Sequence, residues 1–530
     1  MSRNEGADFS QYRKRDRNHP GPAGFWTGDP AFSGSRLVDC FFGEITIDEI
    51  IFHLKVPLQG TDQNTILDFI IRCLIPALMG MFLLALLYLL PRWERRWREK
   101  RVQKGLTTLC VVVQGGKHRE IRRGLTLIPA LPVWIVWLIA LVSLGCGLIH
   151  ACQRYPIIEY IELQSQNSTW IEEEYVDPDA SLLTFPEEKR NLIYIYLESM
   201  EASYMSEEDG GFFEEDLIPE LTELARENLH FSSLAGTLRG AAQIENTGWT
   251  IAGMFAQTAG LPLKMPIDSN TMGEYSSFFP GVTSLGELLE AEGYHNYLMI
   301  GSDAVFGGRA NYFTQHGHYT IYDYYWALEN GKIPEDYYVF WGFEDWRLFE
   351  MAKEQLLQIA EQEEPFNFTM LTVDTHFPDG YICPLCQSEH DTSYENALSC
   401  SSRQVASFVQ WVQQQDFYED TTIVIAGDHL TMAAEFVETM PENAERSTYH
   451  VIINAAATPV NTENRTFTTL DMFPTTLAAL GVEIEGDRLA LGTDLFSERE
   501  TLAEEYGLDV MNQELMRKSE FYNRKLMYGS

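Results

Sequence analysis

The sequence has few basic residues for its length. Its 530 residues include 38 lysines and arginines against 77 aspartates and glutamates, a formal net charge of −39 at pH 7. Because nucleic-acid binding needs a basic surface that displaces counterions, this balance excludes nucleic acid as a partner. The chain also lacks internal repeats and long low-complexity tracts. Its length allows a membrane segment together with one large domain or two smaller ones.

Two long apolar runs interrupt the globular pattern. They are Cys73–Leu90 (CLIPALMGMFLLALLYLL) and Leu125–Cys152 (LTLIPALPVWIVWLIALVSLGCGLIHAC). A membrane-spanning helix needs roughly 20 apolar residues, so each run is long enough to cross a bilayer. A buried helix pair in a soluble core is the alternative, but such cores seldom need uncharged runs of this length. The runs therefore predict two transmembrane helices.

The loop between the two runs predicts their orientation. It is rich in basic residues: Arg92, Arg95, Arg96, Arg98, Lys100, Arg101, Lys104, Lys117, Arg119, Arg122 and Arg123. By the positive-inside rule this loop is cytoplasmic, and the chain after about residue 153 is extracytoplasmic. Residues 1–65 are then outside as well, although QYRKRDR (Gln11–Arg17) is basic and nothing before Cys73 resembles a signal peptide. The amphipathic segment Glu44–Gly60 could lie on the outer membrane surface.

These patterns divide the chain into seven segments of a multi-pass protein of the cell membrane. They are an N-terminal extracytoplasmic or interfacial segment (1–65), a transmembrane helix (66–90), a basic cytoplasmic loop (91–124), a second transmembrane helix (125–152), an acidic linker (153–186), an extracytoplasmic domain (187–500) and a C-terminal tail (501–530).

The extracytoplasmic domain alternates strand and helix patterns. NLIYIYLESM, FNFTMLTVDTHF and TTIVIAGDHL are short β-rich runs, and helical patterns such as GVTSLGELLEAEGY and SSRQVASFVQWVQQQ lie between them. The alternation predicts an α/β fold with a mostly parallel sheet flanked by helices.

Each of the three strand runs ends in polar functional groups. Glu198 follows the first run, Asp374 and His376 follow the second, and Asp428 with His429 follows the third. One acidic residue after a strand is usually a turn or helix-capping residue. Three runs that end this way favour a ligand site, because open α/β sheets bind ligands beyond the carboxyl ends of their strands.

The residue types at these ends are suited to a divalent cation and a phosphate. Glu198, Asp428 and His429 offer hard oxygens and an imidazole, which suit Mn²⁺, Mg²⁺ or Zn²⁺. Thr247, in ENTGWTIAGM at the predicted start of a helix, is either a helix cap or a nucleophile whose hydroxyl binds the metal. His376 and Arg309 could hold phosphate oxygens. The ordinary alternatives are a core or capping histidine and a surface arginine.

Five motifs in order resemble a known family. YIYLESME, TGWTIAGMFAQTAGLPL, TVDTHFPDGY, GDHL and LDMFPTTLAALGV are similar to the phosphoglycerol transferase and lipoteichoic acid synthase branch of the alkaline phosphatase and sulfatase superfamily. The resemblance covers about residues 186–500. The local sequence around Thr247 is most similar to that of the transferases that act on periplasmic glucans.

The resemblance implies a catalytic mechanism and its residues. Thr247 would be the nucleophile and, with Glu198, Asp428 and His429, a ligand of one divalent cation, with Mn²⁺ expected ahead of Mg²⁺ or Zn²⁺. His376 and Arg309 would bind the substrate headgroup. Glycerol phosphate would pass from phosphatidylglycerol to Thr247, and then to a glycan or polyglycerol phosphate acceptor of the cell envelope. Membrane anchoring would keep the enzyme beside its lipid donor.

Three cysteines cluster in the extracytoplasmic domain. Cys383, Cys386 and Cys400 predict one disulfide and one free thiol in a compartment that permits disulfides. A zinc site with His390 as fourth ligand is the alternative. The family resemblance implies that Cys386 and Cys400 form the pair, which leaves Cys383 unpaired.

Four alternative functions are considered against the sequence: a sulfatase, a phosphoethanolamine transferase, a metal phosphodiesterase and an inactive scaffold. A sulfatase needs a cysteine or serine in a C/S-x-P-x-R context, which NTGWT does not supply. A phosphoethanolamine transferase usually has more spans and more disulfides, and a metal phosphodiesterase would use water as the acceptor. A catalytically inactive membrane-anchored scaffold would not need Glu198, Thr247, Asp428 and His429 together.

Overall fold

The computed structural model describes residues 75–103, 133–154, 157–265 and 277–530, together with positions 47, 50, 51 and 71. The predicted segment 1–65, with its amphipathic stretch, lies almost wholly outside these residues. Much of the predicted loop 91–124 does too.

A six-stranded sheet forms the centre of the C-terminal domain. The strands of the described residues, including those of two small additional sheets, are β1 (Leu183–Thr184), β2 (Asn191–Leu197), β3 (His295–Ile300), β4 (Thr320–Tyr322), β5 (Phe366–Leu371), β6 (Thr421–Gly427), β7 (His450–Ile453), β8 (Glu483–Ile484), β9 (Arg488–Leu489) and β10 (Gly492–Thr493). The central sheet has the order β4-β3-β5-β2-β6-β7, and β7 is its antiparallel strand. The predicted mostly parallel α/β sheet is confirmed.

The three predicted strands are neighbours in this sheet. β2 lies between β5 and β6, with Tyr196 paired with Leu371 and Leu197 paired with Gly427. Because all three strands run in the same direction, their carboxyl ends meet at one edge. The polar residues that follow them are therefore brought together.

The central strand is buried on both faces. Leu192, Tyr194 and Tyr196 face one apolar cluster, whereas Ile193, Ile195 and Leu197 face the other. This alternation follows from the two-residue period of a strand. Burying each such side chain stabilises the fold by about 1.5–3 kcal/mol.

Helices cover both faces of the sheet. The helices among the described residues are Ile75–Gln103, Val133–Arg154, Ile157–Ser165, Trp170–Glu174, Pro219–Glu227, Thr250–Ala259, Leu285–Ala291, Arg309–Gln315, Tyr324–Glu329, Asp345–Ala360, Ser393–Val412, Ala434–Val437, Met472–Ala479, Leu502–Tyr506 and Leu508–Met516. A π-helical turn, Tyr522–Met527, follows the last of them. The two quoted helical patterns form Leu285–Ala291 and Ser393–Val412, and capping boxes at Ser284 and Thr392 begin them.

The segments before and after the domain pack onto it. Ile171, in the segment predicted as a linker, is fully buried in the same apolar cluster as Leu515 and Tyr522 of the tail. The Tyr522 backbone N–H also bonds to Ser519 Oγ, while Lys264 N donates to Tyr522 Oη at 3.0 Å. The C-terminal tail therefore contributes to the core.

The two predicted membrane segments overlap two long helices, Ile75–Gln103 and Val133–Arg154. Among the residues with a described position, no helix combines the length and the apolar character required to cross a membrane.

Candidate metal and phosphate site

Glu198 lies at the carboxyl end of the central strand and is almost fully buried. Its Oε1 accepts a hydrogen bond from Ser199 Oγ at 2.8 Å, and its Oε2 accepts one from Thr250 Oγ1 at 3.3 Å. Its backbone is fixed to the neighbouring strand end, since its N–H donates to Thr372 Oγ1 and its C=O accepts from Thr375 Oγ1. The carboxylate is therefore held in one position.

Asp428 presents one bonded and one unbonded oxygen. Oδ1 accepts the backbone N–H groups of Ser199 and His429, both at 2.8 Å. Oδ2 is buried and has no hydrogen-bond partner. A buried charged oxygen without a partner is costly, so this atom is suited to a cation.

His429 is oriented for metal binding. Its Nδ1 lies 2.8 Å from Leu430 O, so Nδ1 is assigned as a hydrogen-bond donor and Nε2 is the nitrogen that a metal would take. Nε2 is buried and has no hydrogen-bond partner. It lies 3.4 Å from Glu198 Oε1 and 3.5 Å from Asp428 Oδ2. Ligand atoms of the three residues lie within 4.8 Å of one another, as one ion would require.

The three side chains are electrostatically coupled. Burial acts to raise the pKa of Glu198, but its interactions with the imidazoles of His376 and His429 lower it to about 2. Burial and the Glu198 charge raise the pKa of Asp428 to about 8. Burial acts to lower the pKa of His429, but Asp428 and Glu198 raise it to about 10. Without a cation, protons take up part of the charge that a metal would neutralise.

Thr247 is fully buried in the loop before the helix Thr250–Ala259. Its Oγ1 donates to Ile244 O at 2.7 Å and accepts the Ile244 N–H at 3.2 Å. The helix begins at Thr250 with Trp249 as its N-cap, so the prediction that Thr247 stands at the helix start is wrong. The Asn246-Thr247-Gly248 turn delays the helix by three residues.

Thr250 is the threonine whose hydroxyl contacts the acidic cluster. Its helix packs closely on the neighbouring strand end, because a Cβ added at Gly253 would lie 2.0 Å from Asp428 O. Sequence reasoning missed Thr250, although a second threonine three residues after the first was a visible signal.

Two residues beside the site have strained backbones. Ser199 (φ 54°) directly follows Glu198, and Asn246 (φ 64°) directly precedes Thr247. Left-handed conformations of residues other than glycine cost of order 1–3 kcal/mol and concentrate at functional sites. The Asn246 amide is buried, and neither its nitrogen nor its oxygen has a hydrogen-bond partner. It could therefore donate to an anionic ligand.

His376 lies in the loop after β5 among aromatic rings. Phe377 stacks on it at 4.6 Å and Trp341 lies 4.8 Å away, between ring centroids. Its Nδ1 bonds to Phe377 O at 2.8 Å, which assigns Nε2 as an acceptor. Burial lowers the pKa of His376, although the Glu198 charge opposes this effect. The ring is thus neutral at pH 7. Trp341 was not identified from the sequence.

Arg309 is buried, so the surface alternative is wrong. Its guanidinium donates to Ser302 Oγ at 3.1 Å and to the Asp303 and Phe306 carbonyls at 2.8 and 3.0 Å. Burial lowers the pKa of Arg309 to about 10, and the charges of Glu198, Asp303, Asp323 and Asp428 oppose this effect. Its cation therefore acts on the same site as the two carboxylates.

Asp345 fixes the loop that carries His376. Its two carboxylate oxygens accept the N–H groups of Val373 at 2.7 Å and Asp374 at 3.0 Å. The Asp374 carboxyl itself is buried without a partner. Burial and the Asp345 charge raise the pKa of Asp374 well above its ordinary value.

The three clustered cysteines are free thiols in the structure, so the predicted disulfide is not formed. Cys383 Sγ lies 3.6 Å from Cys386 Sγ and 3.7 Å from Cys400 Sγ, whereas a disulfide measures about 2.05 Å. His390 does not join them as a fourth ligand, because its Nε2 bonds to Ser399 Oγ at 2.8 Å.

Comparison with known proteins gives both close sequence relatives and distant structural ones. Phosphoglycerol transferase I of Escherichia coli strain 55989 is 33% identical over 305 residues, which are 54% of this chain and 37% of the relative. This chain therefore matches little more than a third of that relative. Two solved structures are distantly similar. One is an alkaline phosphatase superfamily protein from Vibrio parahaemolyticus (TM-score 0.48, 20% identity, 65% of this chain and 82% of that chain). The other is the lipoteichoic acid synthase LtaP from Listeria monocytogenes (TM-score 0.46, 18% identity, 62% and 80%).

The family assignment rests on the domain itself. The sulfatase family model matches residues 190–482, more than half of the chain. The match includes the central sheet, the acidic cluster and the Thr247 loop. The superfamily expected from the five motifs is thereby confirmed, and the chain belongs to the sulfatase family.

Proposed function

We propose that this protein is a membrane-anchored phosphoglycerol transferase. It moves glycerol phosphate from phosphatidylglycerol through a covalent intermediate on Thr247 to a hydroxyl of a cell-envelope glycan or polyglycerol phosphate. The observation that carries the proposal is the convergence of Glu198, Asp428 and His429 at one sheet edge, in contact with the helix that directly follows the Thr247 loop. The 33% identity to phosphoglycerol transferase I supports this reaction over others of the family.

The chemistry of the acidic cluster suits a divalent cation. Asp428 Oδ2 and His429 Nε2 are buried, lack hydrogen-bond partners and lie 3.5 Å apart. Glu198 adds a second carboxylate beside them. Glu198, Asp428, His429 and the Thr247 hydroxyl would hold the ion, and we propose Mn²⁺, with Mg²⁺ or Zn²⁺ as alternatives. When bound, the cation would supply positive charge for phosphate oxygens and would acidify a coordinated hydroxyl.

Thr247 would act as the nucleophile. In the free protein its hydroxyl proton is held by Ile244 O, so attack requires rotation of the side chain away from that carbonyl. A bond then forms between Thr247 Oγ1 and phosphorus as Oγ1 loses its proton, and the bond from phosphorus to the diacylglycerol oxygen breaks as that oxygen takes up a proton. In the second half-reaction the acceptor hydroxyl loses its proton and bonds to phosphorus, while Thr247 Oγ1 leaves and regains a proton.

His376 and Arg309 would recognise the two parts of the headgroup. The Nε2 acceptor of neutral His376 can take a hydrogen bond from a glycerol hydroxyl, and Phe377 and Trp341 limit the space around the ring. The buried Arg309 cation would oppose the negative charge that develops on the phosphate.

The proposed membrane location gives the enzyme access to its lipid. Along the helices Ile75–Gln103 and Val133–Arg154, large apolar side chains are exposed, among them Met79, Phe82, Trp134 and Leu141. Such a surface favours contact with lipid over contact with water. We propose that these helices anchor the chain in the cell membrane, with the catalytic domain on the extracytoplasmic side.

The test is to trap the covalent intermediate. Full-length protein in detergent micelles would be incubated with Mn²⁺ and phosphatidylglycerol labelled in its headgroup, and digested peptides examined by mass spectrometry. We expect glycerol phosphate on Thr247 and none in Thr247→Ala. Thr250→Ala is the matched control, because Thr250 contacts Glu198 and lies on the same peptide.

The outcomes separate the rival functions. An adduct on Thr250 would reassign the nucleophile. Diacylglycerol release without any adduct would indicate a phosphodiesterase, and an adduct formed only from phosphatidylethanolamine would indicate a phosphoethanolamine transferase. Absence of turnover with every lipid would favour the inactive scaffold.

A further inference from the structure

Three free cysteines form a compact cluster, in which Cys383 and Cys400 are buried and Cys386 is half-buried. Cys383 and Cys386 lie in the loop between β5 and the helix Ser393–Val412, and Cys400 lies on that helix. Cys383 Sγ is central, at 3.6 Å from Cys386 Sγ and 3.7 Å from Cys400 Sγ. A tetrahedral zinc with Zn–S bonds of about 2.3 Å places its sulfur ligands about 3.8 Å apart. The sulfurs thus already have the spacing of a metal-thiolate site.

The backbone at Cys383 brings the first two sulfurs together. In Cys383-Pro384-Leu385-Cys386 the chain turns back on itself, and Cys386 N donates to Cys383 O at 3.1 Å. The turn places the Cys383 and Cys386 sulfurs 3.6 Å apart, close enough to bind one ion.

Gln404 supplies a second layer around the sulfurs. It lies one helical turn after Cys400, and its Nε2 is 3.4 Å from Cys400 Sγ and 3.9 Å from Cys383 Sγ. Its Oε1 is buried and has no hydrogen-bond partner. A buried amide directed at sulfur is typical of the outer shell that orients and stabilises metal-bound thiolates. Cys386 and the exposed Leu385 bring the cluster to the surface.

We propose that Cys383, Cys386 and Cys400 bind a structural Zn²⁺ ion, with a solvent molecule as fourth ligand. Three soft thiolates select Zn²⁺ over Mn²⁺ or Mg²⁺, whereas the acidic cluster offers oxygen and nitrogen ligands. The ion would tie the segment that follows His376 to the helix Ser393–Val412. It would thereby hold in place the loop that carries His376, which belongs to the proposed substrate site.

The experiment uses full-length protein purified in detergent under reducing conditions and loaded with Cd²⁺. Cadmium bound to thiolates gives a near-ultraviolet charge-transfer absorption, which oxygen and nitrogen ligands do not give. We expect this absorption in the wild type and in Glu198→Gln, and its loss in Cys383→Ser and Cys400→Ser. His390→Asn and Cys146→Ser are the matched controls and should keep it, since His390 bonds to Ser399 and Cys146 lies on the helix Val133–Arg154.

A second measurement does not depend on variants that fold. Bound Zn²⁺ should protect Cys383, Cys386 and Cys400 of the wild type from alkylation, mapped by peptide mass spectrometry, and a chelator should remove the protection. Equal labelling with and without Zn²⁺ would overturn the proposal. So would a disulfide among these residues in protein isolated without reductant, or a cadmium absorption that persists in both cysteine variants. None of these results depends on the transfer reaction.

Discussion

The imidazole Nε2 of His429 lies 3.4 Å from Oε1 of Glu198, although the two residues follow different strands. The parallel pairing of β2 with β6 sets this distance, because Leu197 pairs with Gly427 and the next residues of both strands are Glu198 and Asp428. The site is therefore a property of strand register. A displacement of either strand by one residue would turn its polar end away from the other.

The first prediction concerns Glu198→Gln. Although burial acts to raise the pKa of Glu198, the imidazoles of His376 and His429 lower it to about 2, so the ionised carboxylate stabilises the native state at pH 7. Glu198→Gln should therefore be less stable than the wild type in the presence of a chelator. Saturating Mn²⁺ should raise the melting temperature of the wild type, since a ligand at 100 times its Kd adds about 2.7 kcal/mol of stability. The melting temperature of the variant should rise much less.

Glu445→Gln, at an exposed ion pair with Arg239, is the control and should respond like the wild type. Equal stabilisation of Glu198→Gln and the wild type would exclude Glu198 as a ligand.

The second prediction concerns Gly253→Ala. In an ordinary helix interior this change stabilises by about 1 kcal/mol. Here the added methyl group would lie 2.0 Å from Asp428 O, so the helix and the strand end must separate. We expect a loss of about 1–3 kcal/mol of unfolding free energy and weaker Mn²⁺ binding. Denaturant unfolding with and without Mn²⁺ measures both.

Gly248→Ala is the comparison for that change. Its added methyl group would meet the movable end of Gln243 rather than backbone, so its unfolding free energy should fall less. If Gly253→Ala were as stable as the wild type, the close packing of the helix on Asp428 would not hold the site.

The third prediction concerns Asp345→Asn. An asparagine keeps one acceptor oxygen for Val373 or Asp374 and turns an NH₂ group toward the other backbone N–H. Leaving that buried donor unpaired costs about 1–3 kcal/mol and should displace the loop that carries His376. We expect KM for phosphatidylglycerol to rise several-fold while the melting-temperature shift with Mn²⁺ stays unchanged. Asp336→Asn, on the exposed surface, should change neither quantity. Loss of the Mn²⁺ shift would mean that Asp345 supports the metal ligands instead.

The sequence predicted the features of the fold that depend on local patterns. Continuous β-rich runs identified the three central strands, and the residues directly after them, Glu198, Asp428 and His429, come together as expected. This prediction works because strand direction and length place their ends at one edge. The family motifs also located the domain that the sulfatase model matches.

The features that were missed depend on contacts between distant segments. Nothing near Asp345 in the sequence indicates that its carboxylate binds the backbone at Val373, and nothing near Trp341 places it against His376. The start of the helix at Thr250 was missed because Asn246 adopts a left-handed conformation, which a helical pattern does not reveal. The thiols of Cys383 and its neighbours are positioned by the packing of a loop on a helix.

The fourth prediction concerns the pH dependence of stability and the buried pair His230 and His450. Their rings stack at 4.3 Å, and Phe231 N donates to His450 Nε2 at 3.1 Å. Burial and the neighbouring His230 lower the pKa of His450 well below 6.5, and burial lowers the pKa of His230. Both rings are therefore neutral in the native state, whereas in the unfolded chain they bind protons as the pH falls through 6.5. The unfolded state then holds more protons, so unfolding free energy decreases below pH 6.5, by up to about 1.4 kcal/mol per pH unit for each histidine. Urea unfolding at pH 7.5 and 5.5 measures the loss.

His450→Gln removes one of the two groups and should lose less stability between these pH values than the wild type, even if it is less stable at pH 7.5. Substitution of the exposed His295 by Gln is the control and should preserve the wild-type difference. An equal pH difference in His450→Gln and the wild type would show that other groups govern the acid sensitivity of the fold.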